Sequence, residues 1–147
     1  MGTKFSTRVW VSVVGIASIF FGSKGYADTV ISVADFGLKP DTRENAVAYV
    51  QKAIEACRGK EPVTLVFPEG RYDFWPQYAH EKNYYETNTY DVFPKRLAML
   101  FEGLHNITVD GNGSQFVMHD RIQPITVENC DGVTLKNFSI DWDIPLT

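Results

Sequence analysis

Two aspartates, Asp141 and Asp143, flank Trp142 near the end of the chain. On a β-strand, residues two apart point to the same face, with α-carbons about 6.5–7 Å apart. Such a pair, with Trp142 on the opposite face, could accept hydrogen bonds from hydroxyl groups or share acid–base work. Asp is also common where strands end, so capping a corner or lining a turn is the competing role. A second region, Trp75 to Pro94, interleaves aromatics (Trp75, Tyr78, Tyr84, Tyr85, Tyr90, Phe93) with amides and charges. It keeps neither a two-residue nor a 3.6-residue period and reads as an insertion loop. Flat faces such as those of Trp75 and Tyr85 suit the apolar side of a sugar ring, a subunit contact, or ordinary packing.

Other chemistry-bearing residue types are scattered. His80, His105 and His119 lack metal-ligand spacing and read as isolated surface or corner residues. No metal or other cofactor is expected. Gly111-Asn112-Gly113 does not follow a strand and open a helix, so it is not a dinucleotide loop. No Ser-His-Asp or Cys-His arrangement can be assembled.

The elements that must position these residues begin after a targeting segment. Lys4 and Arg8 precede an apolar run from Val9 to Phe21, and Gly25-Tyr26-Ala27 has small-x-small cleavage character. That is the layout of a secretory signal peptide, and the run is shorter than the roughly 20 residues a membrane span needs. Residues 1–27 are therefore expected to be removed, with the product secreted or periplasmic and no membrane contact after cleavage. Of 147 residues, 44% are hydrophobic and 14% aromatic, which places the rest among globular chains. A net charge of −4 without clustered Lys and Arg argues against nucleic acid. Cys57 and Cys130 read as free thiols, although export makes a bridge permissible.

Thr29 to Ala34 reads as a strand, with a turn at Asp35-Phe36-Gly37. Asp41 or Thr42 supplies helix-start chemistry, and Val47, Val50, Ile54 and Cys57 recur at helical spacing. Arg58 and Gly59 end that helix. Val63 to Phe67, Arg71 to Phe74 and Leu97 to Phe101 read as strands. Beyond them, His105-Asn106-Ile107-Thr108-Val109-Asp110-Gly111 resembles Asp131-Gly132-Val133-Thr134-Leu135-Lys136-Asn137 at an offset of about 26 residues, a solenoid-like period. Asn106, Asn129 and Asn137 fall at corners, where Asn tolerates left-handed backbone. Short strands, polar corners and a repeat predict an all-β fold, a right-handed parallel β-helix, with the amphipathic helix capping its N-terminal end. An antiparallel sandwich is the alternative; the absence of two-residue hairpin turns disfavours it.

The run Ile31-Ser32-Val33-Ala34-Asp35-Phe36-Gly37, followed by a helix ending Ala53-Ile54-Glu55-Ala56-Cys57, resembles the opening of pectin-lyase-like β-helix enzymes. A narrower resemblance covers nearly all of the chain after residue 27. Thr64 to Pro76, Glu81 to Tyr90 and Leu135 to Asp143 are similar to glycoside hydrolase family 110, in particular its B subtype. The resemblance implies an exported, exo-acting α-1,3-galactosidase that works with inversion on galactose-terminated glycans, blood-group-B-type structures included. Inversion requires two carboxyl groups about 6.5–9.5 Å apart. The family's catalytic aspartates lie beyond residue 147, so no catalytic residue is expected here. Asp141, Trp142, Asp143, Trp75 and Tyr85 remain as substrate-contact candidates.

Residues 28–147 are accordingly expected to be the N-terminal part of a longer β-helix domain, inactive alone, with a galactose-terminated oligosaccharide or glycoconjugate as partner and a homo-oligomer possible. Two rival readings are a non-catalytic glycan-binding or structural β-helix module, and a polysaccharide lyase or polygalacturonase. The last would need basic residues to hold uronate carboxylates, and the acidic balance disfavours it.

Overall fold

A computed structural model describes residues 28–84 and 94–144. The expected signal segment, Met1 to Ala27, and the candidate Tyr85 lie outside the described residues. Strand β1 spans Thr29–Ser32, helix α1 Val47–Cys57, β2 Val63–Val66, β3 Arg71–Phe74 and β4 His80–Lys82. They are followed by β5 Lys95–Glu102, β6 His105–Met118, β7 Gln123–Glu128 and β8 Asp131–Trp142.

The described strands pair in parallel, except where β4 meets β5. β1, β2, β6 and β8 follow one another across one sheet, with Val63 beside Ile107 and Ile107 beside Val133. The long β6 bends at Asp110–Ser114, and beyond the bend its second half pairs with β3 and with the end of β8. A second sheet stacks β5 on β7. Among the described residues, no α-helix joins any of these parallel partners except α1, between β1 and β2. The fold is therefore all-β with parallel sheets, and an antiparallel sandwich is excluded.

Alternation along the strands explains the core. Val63 and Leu65 of β2, Ile107 and Val109 of β6, and Phe74 of β3 beside Met118 all point inward and are buried. Aromatic rings stack in the same way from strand to strand. Phe116 meets Phe67 at 4.8 Å, Phe74 at 5.6 Å and Phe138 at 4.8 Å. Each such pair adds about 0.5–1.5 kcal/mol beyond area burial. The buried Tyr72 resolves its hydroxyl by donating to the Pro68 carbonyl at 2.6 Å. Helix α1 packs Val47, Val50, Ala53, Ile54 and Cys57 against this core, next to β1, β2 and β5.

The corners are built as their residue types dictate. Asn106, Asn129 and Asn137 adopt φ of 47°, 51° and 60°. At Gly111 a β-carbon would stand 2.5 Å from Phe138 Cβ and 2.7 Å from the Asn137 carbonyl, so only glycine lets β8 approach the bend of β6.

Three local expectations shift. The first strand stops at Ser32, because Ser32 and Asp35 form a reciprocal capping box that starts a 3₁₀ turn at Val33. Helix α1 is not capped by Asp41 or Thr42. Asn45 Oδ1 instead accepts from the Val47 N–H at 3.2 Å, while Asp41 turns away to accept from the Arg71 N–H at 3.0 Å. The region read as an insertion loop contains β4, held to β5 by ladder bonds and by the Arg96–Glu81 ion pair at 3.4 Å. Both cysteines are free thiols.

Candidate functional site

Three strand ends come together on the outer face of β3, β6 and β8. In register, Asp73 lies beside Val117 and Val117 beside Asp141. One step further, the His119 N–H donates to the Phe74 carbonyl and the Asp143 N–H to the Met118 carbonyl. Trp75, His119 and Asp143 therefore form one row across three successive strands. The Trp75 and His119 rings lie nearly parallel, 6° apart in plane, with centroids at 3.9 Å.

Beneath the row lies a buried charge. The Asp73 side chain is fully shielded from solvent, although it sits on the outward face of β3. Arg71 donates from Nη2 at 2.7 Å and from Nε at 3.0 and 3.2 Å, and His119 Nε2 lies 2.8 Å away. Burial alone would raise the Asp73 pKa, but the bonds and charges of Arg71 and His119 outweigh it and hold the carboxyl below its usual range. An ionised Asp73 only accepts, so His119 Nε2 carries the proton and donates. The Arg71 pKa is raised, first by its bond to Asp73. Arg71 Nη2 also reaches Asp143 Oδ1 at 3.1 Å, and His119 Nδ1 faces Asp143 Oδ2 at 3.8 Å. One guanidinium thus ties two carboxylates from distant parts of the chain, while one imidazole leans on the same two.

The proposed contact residues divide. Trp75 and Asp143 are brought together in the row. Asp141 stands next to it, exposed, with Oδ1 accepting from the Trp142 N–H at 2.8 Å. Trp142 turns to the other face and packs on the core. Asp143 is 43% exposed and keeps acceptor capacity beyond its Arg71 bond, so the row offers an outward-facing carboxylate. Arg71, Asp73 and His119 are members of this cluster that the sequence reading did not single out; His119 is not an isolated corner residue. Aligning Tyr72-Asp73-Phe74-Trp75, Phe116-Val117-Met118-His119 and Ile140-Asp141-Trp142-Asp143 places Trp75, His119 and Asp143 in register, but that alignment is set by the strand pairing. Among the described residues no three His, Cys, Asp or Glu side chains converge as a metal site.

A second ion cluster joins β4 to the β5–β7 sheet. Lys82 Nζ bridges Glu102 at 2.8 Å and Glu128 at 2.9 Å, and the Tyr84 hydroxyl donates to Glu128. The Tyr84 bond, followed by Lys82, draws the Glu128 carboxyl below its ordinary pKa. This cluster fastens the start of the inserted segment to the body of the fold.

No family model matches the chain. It is 64% identical over 121 residues, 82% of its length, to the alpha-1,3-galactosidase B of Bacteroides thetaiotaomicron. It is 42% identical over 78% of its length to the alpha-1,3-galactosidase A of Shewanella woodyi, and 38% identical over 93% to an alpha-1,3-galactosidase B of Phocaeicola vulgatus. The chain is a homologue of these alpha-1,3-galactosidases over most of its own length. It spans about a fifth of the length of the curated relatives it matches: 20%, 19% and 22% of the three. That homology accords with the resemblance carried by Thr64 to Pro76 and Leu135 to Asp143.

Proposed function

We propose that the chain is the N-terminal part of an exported, exo-acting glycoside hydrolase that releases terminal α-1,3-linked galactose with inversion, from blood-group-B-type glycans among others. The observation that carries this reading is the 64% identity over 121 residues to an alpha-1,3-galactosidase B. In this reading β1 to β8 are the first coils of a right-handed parallel β-helix. The parallel register supports it: Leu97 lies beside Gln123 and Ile107 beside Val133, each one 26-residue repeat apart. Val63 and Ile107 are 44 residues apart, the longer interval being the coil that carries the insertion after Trp75. Helix α1, with its apolar face on the core beside β1 and β2, closes the N-terminal end.

The acid and base of the reaction stand outside residues 28–147, and this part contributes a rim. Asp143 is pinned by Arg71 in a fixed direction and accepts hydrogen bonds from sugar hydroxyls at its remaining lone pairs. The exposed Asp141 adds a second acceptor on the same face. Trp75 spends one ring face on His119, which holds it rigid and leaves its edge and other face for a sugar. The signal segment 1–27 directs the protein out of the cytoplasm.

The test is to express the whole reading frame that contains this chain and to follow galactose release from α-1,3-galactobiose, with proton NMR reporting the anomer first formed. Release of β-galactose by the whole protein, and none by residues 28–147, is the expected result. Robust release by residues 28–147 alone, or none by the whole protein, would sink the reading. Asp143→Asn in the whole protein should lower kcat/KM about tenfold, the equivalent of one charged hydrogen bond of about 1.4 kcal/mol.

A further inference from the structure

The turn that begins at Trp75 continues to Tyr78, whose backbone is unusual. Tyr78 has φ +67°, a left-handed conformation that bulky residues rarely adopt, and it is 77% exposed. Two long-range bonds impose this geometry. Asn45 Nδ2 donates to the Gln77 carbonyl at 2.9 Å, and Gln51 Nε2 donates to the Tyr78 carbonyl at 2.9 Å. Strained backbone persists where the surroundings over-determine it, and such places cluster at ligand contacts. Here the surroundings hold an aromatic residue out in solvent beside the first turns of α1.

Between Tyr78 and α1 lies a cleft of about 410 Å³, lined by Glu44, Asn45, Ala48, Tyr49, Lys52 and Tyr78. That volume is within the usual range for small-molecule sites, roughly 300–1,000 Å³. The Glu44 carboxylate, the Lys52 ammonium and the hydroxyls of Tyr49 and Tyr78 have no side-chain partner among the described residues. They supply acceptors, donors and flat apolar faces to whatever enters. Glu44 and Lys52 cancel in charge, so the cleft favours neither a uronate nor a phosphate.

We propose that this cleft binds a neutral hexose unit of a glycan chain, as a subsite separate from the Trp75–His119–Asp143 row. A pyranose ring presents one apolar face to a tyrosine and a rim of hydroxyls to a carboxylate, an ammonium and an amide, which is the set on display. Asn45 couples the two places, because its Oδ1 accepts from the Trp75 N–H at 3.2 Å while its Nδ2 holds the Gln77 carbonyl. The proposal rests on the glycan-acting reading above and names a contact for glycan units beyond the disaccharide that carries the scissile bond.

The experiment uses the whole protein and 3′-β-galactosyllactose, a neutral trisaccharide with no α-linkage to cleave. Saturation-transfer NMR and calorimetry read its binding, and galactose release from α-1,3-galactobiose reads the chemistry. Tyr78→Ala should weaken trisaccharide binding at least fivefold, with galactobiose turnover within twofold of wild type. Lys52→Met, an exposed helical change that leaves the turn intact, should weaken it at least threefold with Tm unchanged. Wild-type affinity in both variants, or no trisaccharide binding by the wild type, overturns the proposal. An equal loss on trisaccharide and galactobiose also overturns it, since the cleft would then not be separate. A wild type that releases no galactose yet binds the trisaccharide through Tyr78 overturns the hydrolase reading and supports the cleft.

Discussion

Replacing Asp73 with Asn removes one charge from a buried ionic contact on the outer face. The wild-type carboxylate has no exposed side-chain surface and is met by Arg71 and His119 at 2.7–3.2 Å. Removing one partner of a buried ion pair costs about 3–5 kcal/mol, since the other charge is left uncompensated. Arg71 retains Asp143 at 3.1 Å and is itself 22% exposed, so the loss falls at the lower end, about 3 kcal/mol. At about 2–4 °C per kcal/mol this lowers Tm by roughly 6–12 °C at pH 7. The pH dependence gives a second check. Burial pushes the Asp73 pKa up, but Arg71 and His119 pull it further down, so the folded value lies below the unfolded one of about 3.9. A depressed carboxylate contributes stability above its unfolded pKa and loses it as pH falls through the folded value. The gap between wild type and Asp73→Asn should therefore be full at pH 7 and begin to narrow once the pH falls below about 4. Thermal unfolding followed by circular dichroism from pH 7 to pH 3 measures both. Equal Tm values at pH 7, or a gap that stays constant into acid, would refute the reasoning.

Other outcomes follow from single contacts. Gly111→Ala puts a β-carbon 2.5 Å from Phe138 Cβ, and should cost about 2 kcal/mol or more, read as a Tm drop, because backbone and not a flexible tip must give way. Cys57, whose thiol burial pushes up to about 11, should resist iodoacetamide at pH 8 until the protein is unfolded, with mass spectrometry locating the label. Reductant should leave Tm unchanged, because both thiols are free. Asn106→Val, at φ 47°, should destabilise by about 1–2 kcal/mol while Asn106→Gly stays near wild type, checked by urea unfolding.

Much of the scaffold was legible because its causes are local. The helix from Val47 to Cys57 shows its apolar stripe and its Arg58-Gly59 stop in the residue types themselves. Asn106, Asn129 and Asn137 announced corners because few other side chains accept left-handed backbone. Where two local signals competed, the reading slipped. Asp41 and Thr42 carry capping chemistry, yet the distant Arg71 N–H captured Asp41, and it is Asn45, just before the helix, that accepts from the Val47 N–H. Trp75 and Asp143 could be singled out by type, but nothing local tied them to each other.

The sequence by itself determined the strand alternation, the corners, the helix, the near-26-residue repeat between β6 and β8, and the likeness to alpha-1,3-galactosidases. Only the tertiary structure decided the cluster, because Arg71, Asp73, His119 and Asp143 meet through parallel pairing between strands a full turn of chain apart. That turn is 44 residues long from Arg71 to Gln115 and 24 from Gln115 to Ser139, so no fixed period brings the three strands into line. Backbone hydrogen bonds between strands set the register regardless of how much chain loops out between them, and the side chains that face one another follow from that register.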